Sequence, residues 1–139
     1  LEAVVIRGLD GIVVPKVESA KQMQAIAVRI SELEQQAGME AGRTDLIAII
    51  ETALGVMRAE EIAAATPRLS RLAFGGADYT NDLNLEWTAE ERELDFARAR
   101  LSHASRLAGI EPPVDTVVVQ IKDLERFSFR VEFRSKKKG

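Results

Sequence analysis

The chain has 139 residues, 46% of them hydrophobic and 29% charged, and it contains no cysteine. This length fits one domain with its own core, and the composition is typical of a folded protein rather than a disordered one. The sequence has no run of about 18 apolar residues, no visible signal peptide and no cysteine for disulfides. We therefore expect a cytoplasmic protein without a membrane partner.

The net charge of −3 is unevenly distributed. Residues 126–139 hold six basic residues and one acidic residue, a net charge of +5, which leaves −8 for residues 1–125. That acidic part disfavours a nucleic-acid partner. In the basic part, apolar and polar residues alternate as in a strand, with apolar side chains at Phe127, Phe129, Val131 and Phe133. We predict a domain at 1–125 and a basic, Phe-rich tail at 126–139, which is either a native edge strand or a non-native end.

Four apolar, β-branched runs predict strands. They cover residues 11–17, 46–50, 69–74 and 114–121, and their apolar rather than alternating pattern is typical of buried parallel strands. Because proline cannot donate a ladder hydrogen bond, Pro15 is expected at a strand end.

Helical patterns separate these runs. Capping boxes at Ser19 with Gln22 and at Thr88 with Glu91 predict the starts of two helices. These helices are expected to stop at Gly38 and Gly109, respectively. A shorter helix is predicted at residues 59–65, before Pro67, and the pair Pro112 and Pro113 predicts a loop before the last strand.

Alternating strands and helices predict an α/β fold with a parallel sheet covered by helices. Two architectures remain open, a doubly wound sheet and part of a TIM (β/α)8 barrel. A whole barrel typically needs about 250 residues, so four strands correspond to roughly half of one. The sequence starts at Leu1 in what reads as the interior of an element, and we expect it to be a piece of a longer protein.

Charged residues follow three of the predicted strands, where sites form in either architecture. They are Lys16 and Glu18, Glu51, and Asp78 and Asp82. Glu51 directly follows an apolar run, where a carboxylate is costly unless it is paired or bound to a cation. Carboxylates without nearby histidine or cysteine suit Mg²⁺. The alternative is that Glu51 pairs with Lys16 and Asp78 caps the following turn.

Two glycines, Gly75 and Gly76, separate the third run from these aspartates. A glycine pair lets the backbone approach a ligand closely. Neither the G-x-G-x-x-G nor the P-loop pattern occurs, which disfavours a nucleotide-binding function. His103 is predicted on a helix face away from the strand ends, and Tyr79 and Trp87 are predicted to be packing residues.

Four segments resemble, in order and spacing, the HpcH/HpaI aldolase and citrate lyase β-subunit family, in its citrate lyase β-subunit-like and malyl-CoA lyase branch. They are "DGIVVPKVESA" (residues 10–20), "IIETALGVMRAEEIA" (49–63), "LAFGGADYTNDL" (72–83) and "VDTVVVQIKDLE" (114–125). The resemblance implies the central units of a (β/α)8 barrel truncated at both ends, with the family's early strands and its last strand outside this chain.

The resemblance also implies chemistry. It suggests a carbon–carbon lyase that cleaves or forms citryl- or malyl-type acyl-thioesters, giving a 2-oxoacid and an acetyl-thioester carried by CoA or an acyl-carrier protein. Glu51 and Asp78 would hold Mg²⁺ or Mn²⁺, with Gly75 and Gly76 beside the substrate. The alternative is an incomplete barrel fragment that acts as an interaction module. A homo-oligomer is expected because half a barrel leaves open strand edges.

Overall fold

The computed structural model of the chain describes residues 1, 3 and 5–117. The predictions for the tail at 126–139, and for the fourth strand beyond residue 117, lie outside these residues. Within the described part, strands and helices alternate as the sequence predicts. The order is β1 (Gly11–Val14), α1 (Ala20–Gln36), β2 (Asp45–Ile50), α2 (Ala53–Met57), α3 (Ala59–Ala63), β3 (Leu69–Phe74), α4 (Gly76–Asp82), a 3-10 helix (Arg92–Leu94), α5 (Asp95–Ala108) and β4 (Glu111–Val114).

The four strands form one parallel sheet in the order β1-β2-β3-β4. Each strand pairs with the next one in sequence. A doubly wound sheet reverses its strand order at a switch point, whereas a (β/α)8 barrel keeps sequential strands adjacent all the way round. Since no reversal occurs among these four strands, the sheet has the order of a barrel segment.

The core lies between the sheet and the helices packed on one of its faces. In β2, Leu46, Ala48 and Ile50 are fully buried, while the residues between them are partly exposed. The apolar face of α5 packs against the core, with Leu101 fully buried. None of the helices in the described residues has the length and hydrophobicity of a membrane span.

The opposite sheet face is not covered by these helices. The register places Val13, Ile47, Arg71 and Glu111 in one row across the four strands, and Arg71 forms an ion pair with Glu111. Val13 is 54% exposed. In a closed barrel this face would be the interior, because alternate side chains of every strand point inward.

Several sequence predictions are confirmed. β1 ends at Val14, so Pro15 lies just beyond a strand end. The N-cap of α1 is Ser19, whose hydroxyl oxygen accepts the N–H of Gln22 at 3.3 Å. Gly109 ends α5 in the left-handed conformation that glycine adopts without strain, with a φ of 71°.

The predicted capping box before α5 is wrong. Thr88 bonds through its N–H and its hydroxyl to the carboxylate of Glu93, at 2.6 and 2.9 Å, and not to Glu91. A 3-10 turn then intervenes, so α5 begins only at Asp95. Glu91 instead has a left-handed backbone and a buried side chain that pairs with Arg98.

The predicted loop at Pro112 and Pro113 is also wrong, because both prolines belong to β4. Pairing with β3 occurs at Glu111 and Val114, and the register shifts between them. The prolines therefore occupy an irregular stretch where a missing N–H costs little. The helix predicted at 59–65 is observed as α3, Ala59–Ala63, whereas α2 and α4 were not predicted.

Candidate functional site

Parallel pairing brings the carboxyl ends of the four strands to one edge of the sheet, which we call the carboxyl edge. It consists of the residues that follow β1 to β4, namely Lys16, Glu51, Gly75 to Asp78, and Asp115 with Thr116. Ile50 pairs with Phe74 at the ends of β2 and β3, so Glu51 and Gly75 leave the sheet side by side. The edge therefore gathers three of the charged positions predicted from the sequence, Lys16, Glu51 and Asp78.

Glu51 is held almost entirely out of solvent, with 9% of the residue exposed. Its Oε1 accepts a hydrogen bond from the backbone N–H of Lys16 at 2.8 Å. Lys16 has a positive φ of 54°. Glu51 thus pairs with Lys16, as the alternative interpretation predicted, but with its backbone amide. In the part of the chain that the structure describes, the two side chains form no ion pair.

The other oxygen of Glu51 lies against Gly75. A Cβ atom on Gly75 would lie 2.6 Å from both the Cβ and the Oε2 of Glu51, a distance too short for any real side chain. The N–H of Gly75 donates to the carbonyl of Ile50 at 3.0 Å. The glycine is therefore needed so that the carboxylate can lie over the turn after β3.

Asp78 lies in the first turn of α4 and is exposed. Its carboxylate makes no hydrogen bond or ion pair within the described part of the chain. The alternative role for Asp78, capping of the turn, is not observed, because Gly75 is the N-cap and no side chain caps α4. Asp78 thus presents a carboxylate at the same edge as Glu51.

Gly76 packs against a residue that sequence reasoning missed. Its N–H donates to Oγ1 of Thr116 at 2.9 Å, and a Cβ on Gly76 would lie 2.8 to 3.0 Å from three side-chain atoms of that threonine. Thr116 was hidden inside a strand predicted at 114–121, whereas the observed β4 ends at Val114. The N–H groups of both glycines therefore bond within the protein, and a contact of Gly75 and Gly76 with substrate stays a prediction.

Asp82 has a different task from Asp78. Its Oδ2 accepts the N–H of Ala53 at 2.8 Å, at the first residue of α2. The side chain of Thr52 caps the same helix by accepting the N–H of Gly55 at 3.1 Å. Asp82 therefore fixes the loop after β2.

An ion cluster supports the end of β4. Nε of Arg98 lies 3.0 Å from Oδ1 of Asp115, and its Nη2 lies 2.5 Å from Oε2 of Glu91. The indole N–H of Trp87 donates to the same glutamate at 3.3 Å. The cluster lies next to Thr116 in sequence and anchors α5 to this part of the edge. Arg98 and Asp115 are 17 residues apart, so no local pattern indicated the contact of α5 with the end of β4.

The donor set suits a hard divalent cation. Within the described residues no group of three or more histidine, cysteine, aspartate or glutamate side chains could hold a metal. A metal here would therefore have two carboxylate ligands, Glu51 and Asp78, with the remaining positions filled by water and substrate. Mg²⁺ is usually bound in this way, because it keeps several waters.

The other predicted residues lie where the sequence placed them. His103 is exposed on α5, and its Nδ1 lies 2.7 Å from the carbonyl oxygen of Ala99. Tyr79 is buried edge-on against Phe74, with ring centroids 5.4 Å apart, and burial raises its pKa. Trp87 is partly buried against the core.

The sequence of this chain matches the model of the HpcH/HpaI aldolase/citrate lyase family over residues 1–136. The chain belongs to that family. The match runs past residue 125 into the segment predicted as a tail.

Known proteins agree with this assignment. The chain is 39% identical to the citrate lyase subunit beta of Leuconostoc mesenteroides subsp. cremoris over 127 residues, which are 91% of this chain and 42% of that protein. It is 44% identical to the Escherichia coli K12 citrate lyase subunit beta over 117 residues, 84% of this chain and 38% of the relative. A Rhodobacter capsulatus L-malyl-CoA/beta-methylmalyl-CoA lyase is 36% identical over 80 residues, 58% of this chain and 25% of that enzyme. The chain thus spans about two fifths of the citrate lyase subunits that it matches.

Solved structures support the fold. RipC from Yersinia pestis superposes with a TM-score of 0.73 at 35% identity, covering 91% of this chain and 54% of RipC. The magnesium/glyoxylate complex of Haloferax volcanii malate synthase gives a TM-score of 0.74 at 24% identity, covering 87% of this chain and 37% of that protein. The predicted α/β class, with parallel (β/α) units of a barrel, is confirmed.

Proposed function

We propose that this chain provides the metal-binding edge of a carbon–carbon lyase that cleaves or forms citryl- or malyl-type acyl-thioesters. The observation that carries the proposal is that a buried carboxylate, Glu51, and the exposed carboxylate of Asp78 follow the neighbouring strands β2 and β3 at the carboxyl edge. Support comes from relatives named citrate lyase subunit beta and L-malyl-CoA/beta-methylmalyl-CoA lyase.

The residues of the carboxyl edge have different roles in this proposal. Glu51 and Asp78 hold the cation, and the amide of Lys16 fixes one oxygen of Glu51 so that Oε2 remains directed toward Gly75. When bound, Mg²⁺ or Mn²⁺ supplies a Lewis acid that polarises the ketone of the 2-oxoacid and stabilises negative charge developing on its oxygen. Because no side chain projects from Gly75 or Gly76, the oxoacid has room beside the two carboxylates.

The wider proposal concerns partners. The substrates are a 2-oxoacid and an acetyl-thioester of CoA or of an acyl-carrier protein, the enzyme is a cytoplasmic homo-oligomer, and the remaining strands of the barrel complete the substrate pocket. Since the chain spans 42% of a citrate lyase subunit, turnover is expected only when the rest of the barrel is present. Metal binding is the step that can be measured on this chain without the rest of the barrel.

The direct test is a titration of the chain with Mn²⁺. Binding is monitored by calorimetry and by the loss of the electron paramagnetic resonance signal of the free ion. We expect one Mn²⁺ to bind and Mg²⁺ to displace it. Glu51→Gln and Asp78→Asn should each weaken binding roughly tenfold or more, because each removes a charged ligand. Asp82→Asn is the matched control, four residues from Asp78 on the same helix, and should bind as the wild type does. A wild-type chain without Mn²⁺ affinity, or equal binding by all four proteins, would refute the metal site.

A second candidate is an interaction module without catalysis. It is favoured by the uncovered sheet face, whose row includes Val13 and Ile47, and by the outer edge of β1, which has no partner strand among the described residues. Exposed strand edges promote pairing between chains. Light scattering coupled to gel filtration tests this candidate, since a monomer at all concentrations would exclude it.

A further inference from the structure

We infer that Thr116 is a positioning residue for the metal-binding edge, acting through Gly76 on Asp78. This inference rests on the proposed function, because it assigns a supporting residue to the same site. Thr116 is not among the site residues predicted from the sequence, and it is not a ligand in the proposed metal site.

The contact between Thr116 and Gly76 is close and buried. Thr116 is 8% exposed, and its hydroxyl oxygen accepts the N–H of Gly76 at 2.9 Å. The Cγ2 methyl of the threonine would lie 3.0 Å from a Cβ on Gly76, so the side chain fills the space that the glycine leaves. Thr116 therefore fixes the turn both by shape and by a hydrogen bond.

This turn determines where Asp78 lies. Gly76 is the first residue of α4, and Asp78 follows two residues later in the same helical turn. On its other side, the turn is bounded by Glu51, whose carboxylate lies against Gly75. The glycine pair is thus held between one metal-ligand candidate and Thr116, and a shift of α4 would change the separation of Glu51 from Asp78.

Thr116 is itself well anchored. The preceding residue, Asp115, pairs with Arg98 of α5 at 3.0 Å, and Val114 pairs with Ala73 of β3. The segment that carries Thr116 is therefore held in place by contacts with both α5 and β3. Supporting residues of this kind typically change metal affinity by 10- to 100-fold when they are removed, because they orient the ligands.

Two substitutions separate shape from hydrogen bonding. Thr116→Val keeps the volume but cannot accept the N–H of Gly76, whereas Thr116→Ser keeps the acceptor and loses only the methyl group. The matched control is Thr44→Val, at a buried threonine just before β2, at the opposite end of the sheet. Mn²⁺ affinity is measured for each protein, and amide hydrogen exchange of Gly76 is followed by NMR without metal.

We expect Thr116→Val to raise the Kd for Mn²⁺ roughly tenfold and to speed exchange at Gly76, while Thr116→Ser stays within about twofold of the wild type. Thr44→Val should leave the Mn²⁺ affinity unchanged, even if it lowers stability. Wild-type affinity in Thr116→Val, or equal loss in Thr116→Val and Thr44→Val, would overturn the inference while leaving the metal site intact. Absence of Mn²⁺ binding by the wild type would overturn the proposed function, and this inference with it.

Discussion

The side chain of Glu51 occupies the space into which a side chain on Gly75 would project, across the ends of the neighbouring strands β2 and β3. The gap is so narrow that a methyl group on residue 75 would lie 2.6 Å from both Cβ and Oε2 of the glutamate. Gly75 has a φ of −96°, which any residue can adopt, so its side-chain restriction comes from this contact and not from its backbone conformation.

Gly75→Ala is therefore expected to displace Glu51 or the turn after β3. Overpacking of this kind costs about 1–3 kcal/mol, and the Mn²⁺ affinity should fall because a ligand moves. Urea denaturation measures the first effect and Mn²⁺ titration the second. Gly109→Ala is the control, since its Cβ would meet no atom within 4 Å and only its φ of 71° is strained. If both variants lose stability and keep the wild-type Mn²⁺ affinity, the contact does not control the site.

Asp82→Ala should loosen the loop that follows β2. The substitution removes the acceptor of the Ala53 N–H at 2.8 Å, and an exposed hydrogen bond of this type contributes about 1 kcal/mol to the free energy of unfolding. Asp82→Asn keeps an acceptor oxygen and should lose less. Urea denaturation of both variants checks the order, and an alanine variant as stable as the wild type would show that this bond contributes nothing.

Acid is expected to destabilise the end of the sheet opposite the carboxyl edge, because the carboxylate of Glu34 becomes protonated there. This side chain is fully buried, and Oε2 lies 2.6 Å from Nη2 of Arg68. The hydrogen bond from Arg68, helped by the N–H groups of Gly42 and Thr44 and opposed by burial, lowers the pKa of Glu34 from 4.5 to about 2.

Because the folded pKa lies below the unfolded one, the stabilisation is fully present above pH 4.5 and is lost as the pH falls toward about 2. The loss attributable to this group is on the order of 3 kcal/mol. Unfolding free energies of the wild type and Glu34→Gln, measured across this pH range, should converge in acid. A constant difference between the two curves would contradict the assignment to Glu34.

Helix α5 offers a matched pair of leucines. Leu101 is fully buried in the core and Leu107 is 77% exposed. Leu101→Ala should cost about 2–5 kcal/mol through lost burial and a cavity, whereas Leu107→Ala should stay within about 0.5 kcal/mol of the wild type. Thermal and urea denaturation report both values. Similar losses for the two variants would mean that α5 packs against the sheet through a different face.

The fold was predictable where local patterns decide it. The apolar runs placed β2 and β3 within one residue of their observed limits, and Ser19 marked the start of α1 because an N-cap is a local hydrogen bond. The start of β4 was misplaced because two prolines usually indicate a loop, whereas here the register shift accommodates them. Thr88 bonds to Glu93 rather than to Glu91. The 3-10 turn precedes α5, and the side chain of Glu91 pairs with Arg98 instead.

The candidate site was predictable only in part. Charge after an apolar strand pointed to Glu51, and the resemblance to a known family separated Asp78 from Asp82. Thr116 and Arg98 carry no comparable signal, since their partners are 40 residues away for Thr116 with Gly76 and 17 residues away for Arg98 with Asp115. Such contacts depend on how β4 meets β3, which sequence spacing does not fix.

The order of the strands also bears on how the sheet is built during synthesis. Each strand pairs with the one that precedes it in the chain, so no strand has to wait for a partner made much later. Pairing between strands that follow each other in the chain closes a smaller loop than pairing between strands several units apart, and it therefore costs less chain entropy. β1 and β2 can accordingly act as the template on which β3 and then β4 are added.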